Sequence, residues 1–189
     1  MPAHSGVGAT APTPRHAFGT YRVCLVCLGN ICRSPMAEVA VRAELGRAGL
    51  SGRVEVDSAG TGDWHLGHGM DERAQAELAR RGYDGTGHRA RQFDRSWFGR
   101  YDLVLAMDAS NLKRLRQLAP DADAAGRTAM LLSFDPDLAG RDAGDLEVPD
   151  PYYGDDEGFA EALDLIESAA RGLAAQLSHL LTDQPASSG

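Results

Sequence analysis

The segment Cys27-Leu28-Gly29-Asn30-Ile31-Cys32-Arg33-Ser34 joins a nucleophile to an anion grip. A cysteine opens it, and an arginine follows after five intervening residues. The β-rich run Tyr21 to Val26 precedes it. Ser34-Pro35 then opens a helix, because Ser is a good N-cap and Pro suits the first helical position. The amides of a tight loop between strand and helix, with the free N–H groups of the first helical turn, form a concave anion site. The segment lacks G-x-x-x-x-G-K-[ST], so it is not a Walker A nucleotide loop. The planar guanidinium of Arg33 can grip two phosphoryl oxygens in a bidentate fork. The same positive field stabilises a thiolate at Cys27. An isolated cysteine at a strand end is more often a small buried hydrophobe, and it is the strand–C-x5-R-S-P–helix context that argues for chemistry. Cys24 lies inside the strand and reads as core. Cys24 and Cys27 have the spacing of a redox pair, but such pairs usually sit at a helix start.

The second candidate comes from charge. From Ser133 to Glu167 there are 12 acidic residues and one cation, Arg141. Most of these acids read as a solvated loop and the first turn of a helix, where acids suit the dipole. Asp150 differs because Pro151 follows it, which pushes it out of the helical region and helps aim it from the loop. Over the whole chain, 19 cations against 27 acids give a net charge of −8, which argues against non-specific nucleic-acid binding. No metal-ligand cluster is visible, and Arg33 with the amides supplies the charge, so neither metal nor cofactor is expected.

These residues must be held by a fold. At about 150 residues per domain, a length of 189 argues for one domain. No apolar run approaches the 18 or so residues of a membrane span. Residues 1–20 have no apolar core of a signal peptide and are expected to be a disordered tail, as are 183–189. The domain is then 21–182. Three cysteines and no leader make a reducing cytoplasm the default, with leaderless export left open. Strand and helix signals alternate. Met36, Val39, Ala40 and Ala43 mark one helical face after the loop. Val54 and Val56 begin a second strand that ends at Asp57-Ser58-Ala59-Gly60. Asp71 caps a helix to Arg81, with Gly82 just beyond it. Leu103 to Ala106 is a third strand. Asp108 starts a helix with Leu112, Leu115 and Leu118 inward, and Met130 to Phe134 is a fourth strand. A long loop, about Asp135 to Asp155, precedes a last helix with Phe159, Leu163, Ile166, Ala170, Leu173, Leu177 and Leu180 on one stripe. This order predicts a three-layer αβα fold around a four-stranded parallel sheet, with the loop after the first strand at the sheet's C-terminal edge.

Val26-Cys27-Leu28-Gly29-Asn30-Ile31-Cys32-Arg33-Ser34-Pro35-Met36-Ala37-Glu38 resembles the signature of the low molecular weight protein tyrosine phosphatases. The resemblance continues in order through Asp57-Ser58-Ala59-Gly60-Thr61, Trp64-His65, His88-Arg89-Ala90-Arg91-Gln92, Ala106-Met107-Asp108 and Asp150-Pro151-Tyr152-Tyr153-Gly154. It is most similar to actinobacterial members. The resemblance implies that Cys27 forms a cysteinyl-phosphate, that Arg33 and the loop amides bind the equatorial oxygens, and that Asp150 is the general acid. It implies that Ser34 donates to the Cys27 sulfur and that Asn30 adopts a left-handed conformation, its side chain held by Ser58 and His88. Trp64, Tyr152 and Tyr153 would wall a cleft deep enough to favour phosphotyrosine over phosphoserine. Phosphotyrosine proteins are the implied substrates, with a tyrosine kinase as an allied partner. Cys32 could trap oxidised Cys27 as a disulfide, although Cys24 adds a third thiol and leaves the resolving partner open. The extension before Tyr21 is longer than the family normally carries.

Three rival functions are weighed against this. An arsenate reductase of the same fold needs relay cysteines well downstream, and every cysteine here lies at or before Cys32. A non-catalytic phosphotyrosine-binding module should have lost Cys27, Arg33 or Asp150. A phosphoryl carrier is disfavoured because Arg33 and Asp150 favour hydrolysis.

Overall fold

The computed structural model describes residues 8–183. Its elements run β1 (Tyr21–Cys27), α1 (Arg33–Arg47), β2 (Val54–Gly60), α2 (Glu72–Arg80), β3 (Leu103–Ala106), α3 (Ala109–Leu118), α4 (Ala122–Gly126), β4 (Thr128–Met130) and α5 (Asp156–Thr182). The four strands form one parallel sheet in the order β2-β1-β3-β4.

The period-two alternation of β1 divides the core. Tyr21, Val23, Leu25 and Cys27 join one apolar cluster with α1, α2 and α5. Cys24 and Val26 face the opposite layer, with Leu115 of α3, Ala124 of α4 and the rings of Phe93, Phe98 and Tyr101. This is the expected αβα sandwich, and it puts Cys24 and Cys27 on opposite faces of the sheet.

Several local expectations are corrected. Helix α1 begins at Arg33 with Cys32 as its N-cap, so Ser34 is not the cap. Its hydroxyl is engaged by Cys27 and Asn30 instead. The buried face of α1 is Met36, Ala37, Ala40, Val41 and Leu45, while Val39 and Ala43 lie half-buried on its flank. The fourth strand is Thr128–Met130, and Leu131–Phe134 is a 3-10 turn. Consecutive apolar residues without alternation do not distinguish a strand from a buried turn. The loop after it contains two further 3-10 turns, Pro136–Leu138 and Ala143–Leu146. It is pinned to the sheet where Val148 N donates to Met107 O.

Residues 8–20 also depart from the expected free tail. They have no regular secondary structure but are tied along the domain. Ala9 N donates to Ser133 O, and the Gln176 side-chain amide accepts from Ala11 N and donates to Ala9 O. Tyr21 donates to Pro12 O, and Arg15 N donates to Asp102 at 2.6 Å. The parts of the expected tails at 1–7 and 184–189 lie outside the described residues.

Candidate active site

The loop between β1 and α1 turns on Asn30. Its φ of +56° is the only positive value of a non-glycine residue among the described residues. Asn tolerates this conformation better than most side chains because its short amide can bond locally. The Asn30 amide is buried. Its Nδ2 donates to Ser34 Oγ (2.9 Å) and Ser58 Oγ (3.0 Å), and its Oδ1 accepts from Arg91 N (3.0 Å). His88 also reaches Asn30, but its Nε2 donates to the backbone carbonyl at 2.7 Å rather than to the side chain. Ser58 Oγ donates to Glu38 Oε2 at 2.5 Å. Glu38 is a partner that sequence reasoning missed, since at an i, i+4 spacing to Arg42 it reads as a surface helix pair.

This scaffold sets two hydrogen-bonding partners on the Cys27 sulfur. Ser34 Oγ lies 3.0 Å from Sγ, and Asn30 N donates to it at 3.3 Å. Burial, then the charges of Asp71 and Cys27, push the Cys32 thiol well above the ordinary range. The loop lies flat against the end of β2 because residue 60 is glycine. A Cβ there would sit 2.6 Å from Leu28 O. Thr61 N and Gly62 N complete the join by donating to Cys27 O and Leu28 O.

Arg33 projects from the first turn of α1 with its side chain only 4% exposed. Nη1 donates to Asp108 Oδ2 (2.7 Å) and Val148 O (3.0 Å), and Nη2 donates to Asp150 Oδ2 at 3.3 Å. Burial disfavours its charge, but Cys27, Asp108 and Asp150 outweigh that and hold the guanidinium above its ordinary value. Asp108 was legible only as the cap of α3. Its Oδ1 does accept from Asn111 N, which leaves Oδ2 free to fix Arg33. Asp150 faces the same space from the far side, and its Oδ1 accepts from Tyr152 N.

Between these groups lies a cleft of about 390 Å³. It is lined by the loop from Cys27 to Arg33, by Trp64 and His65, and by Asp150, Tyr152 and Tyr153. Trp64 lies across Gly62, where a Cβ would meet the indole at 1.9 Å. Tyr152 is half-buried, with the ring of His65 at 6.1 Å. Tyr153 stands edge-on to Tyr152 and is 91% exposed, so it belongs to the mouth rather than the wall. The structure therefore brings Cys27, Arg33 and Asp150 to one cleft and puts Ser58 and His88 behind the loop. It adds Glu38, His65, Asp108 and Arg91, whose contacts are made across long sequence separations.

The geometry can be set beside known proteins. Residues 22–182 match the family model described as low molecular weight phosphotyrosine protein phosphatase. A low molecular weight protein-tyrosine-phosphatase of Streptomyces coelicolor is 57% identical over 156 residues, spanning 82% of this chain and 93% of the relative. The low molecular weight protein-tyrosine phosphatase A of Mycobacterium tuberculosis is 48% identical over 151 residues, spanning 80% and 88%. Among solved structures, a protein tyrosine phosphatase from Entamoeba histolytica superposes with a TM-score of 0.78 at 32% identity, covering 85% of this chain and 98% of that one. With the expected αβα fold and the cysteine loop at the end of β1, the chain belongs to the low molecular weight protein tyrosine phosphatases and is a phosphatase enzyme.

Proposed function

We propose that this phosphatase hydrolyses phosphotyrosine in proteins through a cysteinyl-phosphate, with Asp150 as the general acid. The observation that carries this reading is the convergence on one cleft of a doubly hydrogen-bonded Cys27 sulfur, the buried Arg33 fork and the Asp150 carboxyl. The Cys27 thiolate attacks phosphorus in line with the tyrosyl oxygen. As the S–P bond forms and the P–O bond breaks, Asp150 gives its proton to the departing phenolate. Arg33 and the loop amides hold the equatorial oxygens, where negative charge spreads in the transition state. Water then attacks phosphorus, gives a proton to Asp150, and releases phosphate and the Cys27 thiolate. A phenol has a pKa near 10, so a positioned proton donor is worth roughly 10²–10⁴ in rate.

Ser34 supports this chemistry by donating to the sulfur both as nucleophile and as leaving group. Trp64, Tyr152 and the mouth residue Tyr153 supply the aromatic surface that would receive the tyrosyl ring. A protein tyrosine kinase must supply such substrates and is the partner enzyme this reading calls for. The cytoplasm is the compartment it assigns, since Cys27 acts as a free thiol and all three cysteines are free. The test is hydrolysis of p-nitrophenyl phosphate and of a phosphotyrosyl peptide, with rapid-quench mass spectrometry for the phosphoenzyme. A phosphate adduct of about 80 Da on the Cys27 peptide, lost in Cys27→Ser together with activity, is expected. Turnover that persists in Cys27→Ser would refute the mechanism.

A further inference from the structure

Asp150 lies on a short segment between Val148 and the start of α5, and its position depends on what holds that segment. Among the described residues, only two side chains of other elements donate hydrogen bonds to 150–154: Arg33, which meets the Asp150 carboxylate, and Arg73. Arg73 Nη2 donates to Tyr152 O at 3.0 Å, and Nη1 donates to Gly154 O at 3.2 Å. The N–H of Tyr152, on the other side of the same residue, is the group that holds Asp150 Oδ1 at 3.2 Å. The Arg73 guanidinium also lies over the rings of Phe159 (4.7 Å) and Tyr152 (5.8 Å).

The other end of Arg73 leads to the phosphate loop. Its Nε and Nη2 meet both oxygens of Asp71, at 3.2 and 3.1 Å. Asp71 caps α2 by accepting from Arg73 N, and its own N–H donates to Ile31 O, inside the loop that carries Cys27. One continuous path thus runs from Ile31 through Asp71 and Arg73 to Tyr152 and Asp150. A cation in the first turn of a helix is opposed by the helix dipole. Arg73 occupies that unfavourable place in α2, where the two ends of its planar fork reach two carbonyls, a geometry the single nitrogen of a lysine does not reproduce.

We propose that Arg73 is a positioning residue for the general acid, fixing the distance between the phosphate loop and Asp150 through Asp71 and the backbone of Tyr152. The proposal rests on the reading of Asp150 as the proton donor. It makes a distinctive demand: a displaced acid should hurt only those substrates that need a proton. Misplacement of a catalytic group by about 1 Å can cost roughly 10²-fold.

The experiment measures kcat/KM, which reports the steps through P–O cleavage, over aryl phosphates from dinitrophenyl to phenyl, for wild type, Arg73→Met, Arg73→Lys, Asp150→Asn and the Arg73→Met/Asp150→Asn pair. Arg73→Met is expected to lower kcat/KM for phenyl phosphate by about 10–100-fold and for the dinitrophenyl ester by less than about threefold. Arg73→Lys should fall between it and wild type. In the Asp150→Asn background the Arg73 change should have almost no further effect. Losses equal across the series, or a full additional loss in the pair, would overturn the proposal. If Asp150→Asn itself shows no dependence on the leaving group, the reading of Asp150 fails instead. Should Arg73→Met not fold, Arg73→Lys decides by the same slope: a steeper dependence than wild type supports the proposal, and an unchanged slope overturns it.

Discussion

Replacing Asn30 separates two physical contributions at the centre of the site. Asn30→Ala removes three side-chain hydrogen bonds, to Ser34, to Ser58 and from Arg91 N. At about 1 kcal/mol each, this is a loss of about 3 kcal/mol. Alanine must also adopt the φ of +56° without a local hydrogen bond, at a cost of roughly 1 kcal/mol. The sum, about 4 kcal/mol, corresponds to a fall in Tm of about 8–16 °C for a domain of this size. Asn30→Gly loses the same hydrogen bonds but not the backbone term, so it should melt about 2–4 °C above Asn30→Ala. Both variants should lose activity together, since each removes the donor that keeps the Ser34 hydroxyl committed to Cys27. The assay is thermal unfolding of the three proteins alongside p-nitrophenyl phosphate turnover. Equal stability of the Ala and Gly variants would refute the strain contribution. A loss below about 1 kcal/mol in both would refute the hydrogen-bond contribution.

Mild peroxide should inactivate the enzyme reversibly through a Cys27–Cys32 disulfide, because Cys24 points to the other face of the sheet; peptide mapping decides, and recovery by dithiothreitol lost in Cys24→Ser but kept in Cys32→Ser would reverse the assignment. Gly172→Ala, normally a gain of about 1 kcal/mol in a helix, should instead lower Tm, since its Cβ would lie 1.9 Å from Phe134 O; a stabilised variant would show that α5 is free to shift. Activity should survive EDTA, since Arg33 and the loop amides supply the positive charge; loss with EDTA and recovery with zinc or magnesium would refute this.

What the sequence made legible was local. The caps Asp71 and Asp108 and the helix-ending Gly82, at φ +82°, were readable because capping couples residues two or three positions apart. The strand–loop–helix unit around Cys27 was readable for the same reason. What stayed hidden depends on distant partners. Residues 8–20 have the composition of a disordered tail, yet Gln176, Ser133 and Asp102 hold them, and nothing nearby in sequence announces those contacts. Asp108 was visible as a cap but not as the partner of Arg33, because its second oxygen acts across 75 residues. Arg73 had no local signal, because its contacts with Tyr152 O and Gly154 O span 79 and 81 residues.

The buried network behind the loop has a direction, and its end residues impose it. An ionised carboxylate only accepts hydrogen bonds, so Glu38 obliges Ser58 to donate its single hydroxyl proton outward. Ser58 can then meet Asn30 only as an acceptor, which fixes the Asn30 amide with Nδ2 toward both serines and Oδ1 toward Arg91 N. Nδ2 in turn occupies a lone pair of Ser34, leaving that hydroxyl's proton for either Cys27 Sγ at 3.0 Å or Ala59 O at 3.3 Å. In the proposed mechanism the sulfur is a thiolate, the nearer and charged acceptor, and charge-assisted bonds are roughly twice as strong as neutral ones. The proton of Ser34 therefore goes to sulfur. A carboxylate on α1 that does not line the cleft thus acts through two serines and one asparagine to turn the last donor toward the proposed nucleophile.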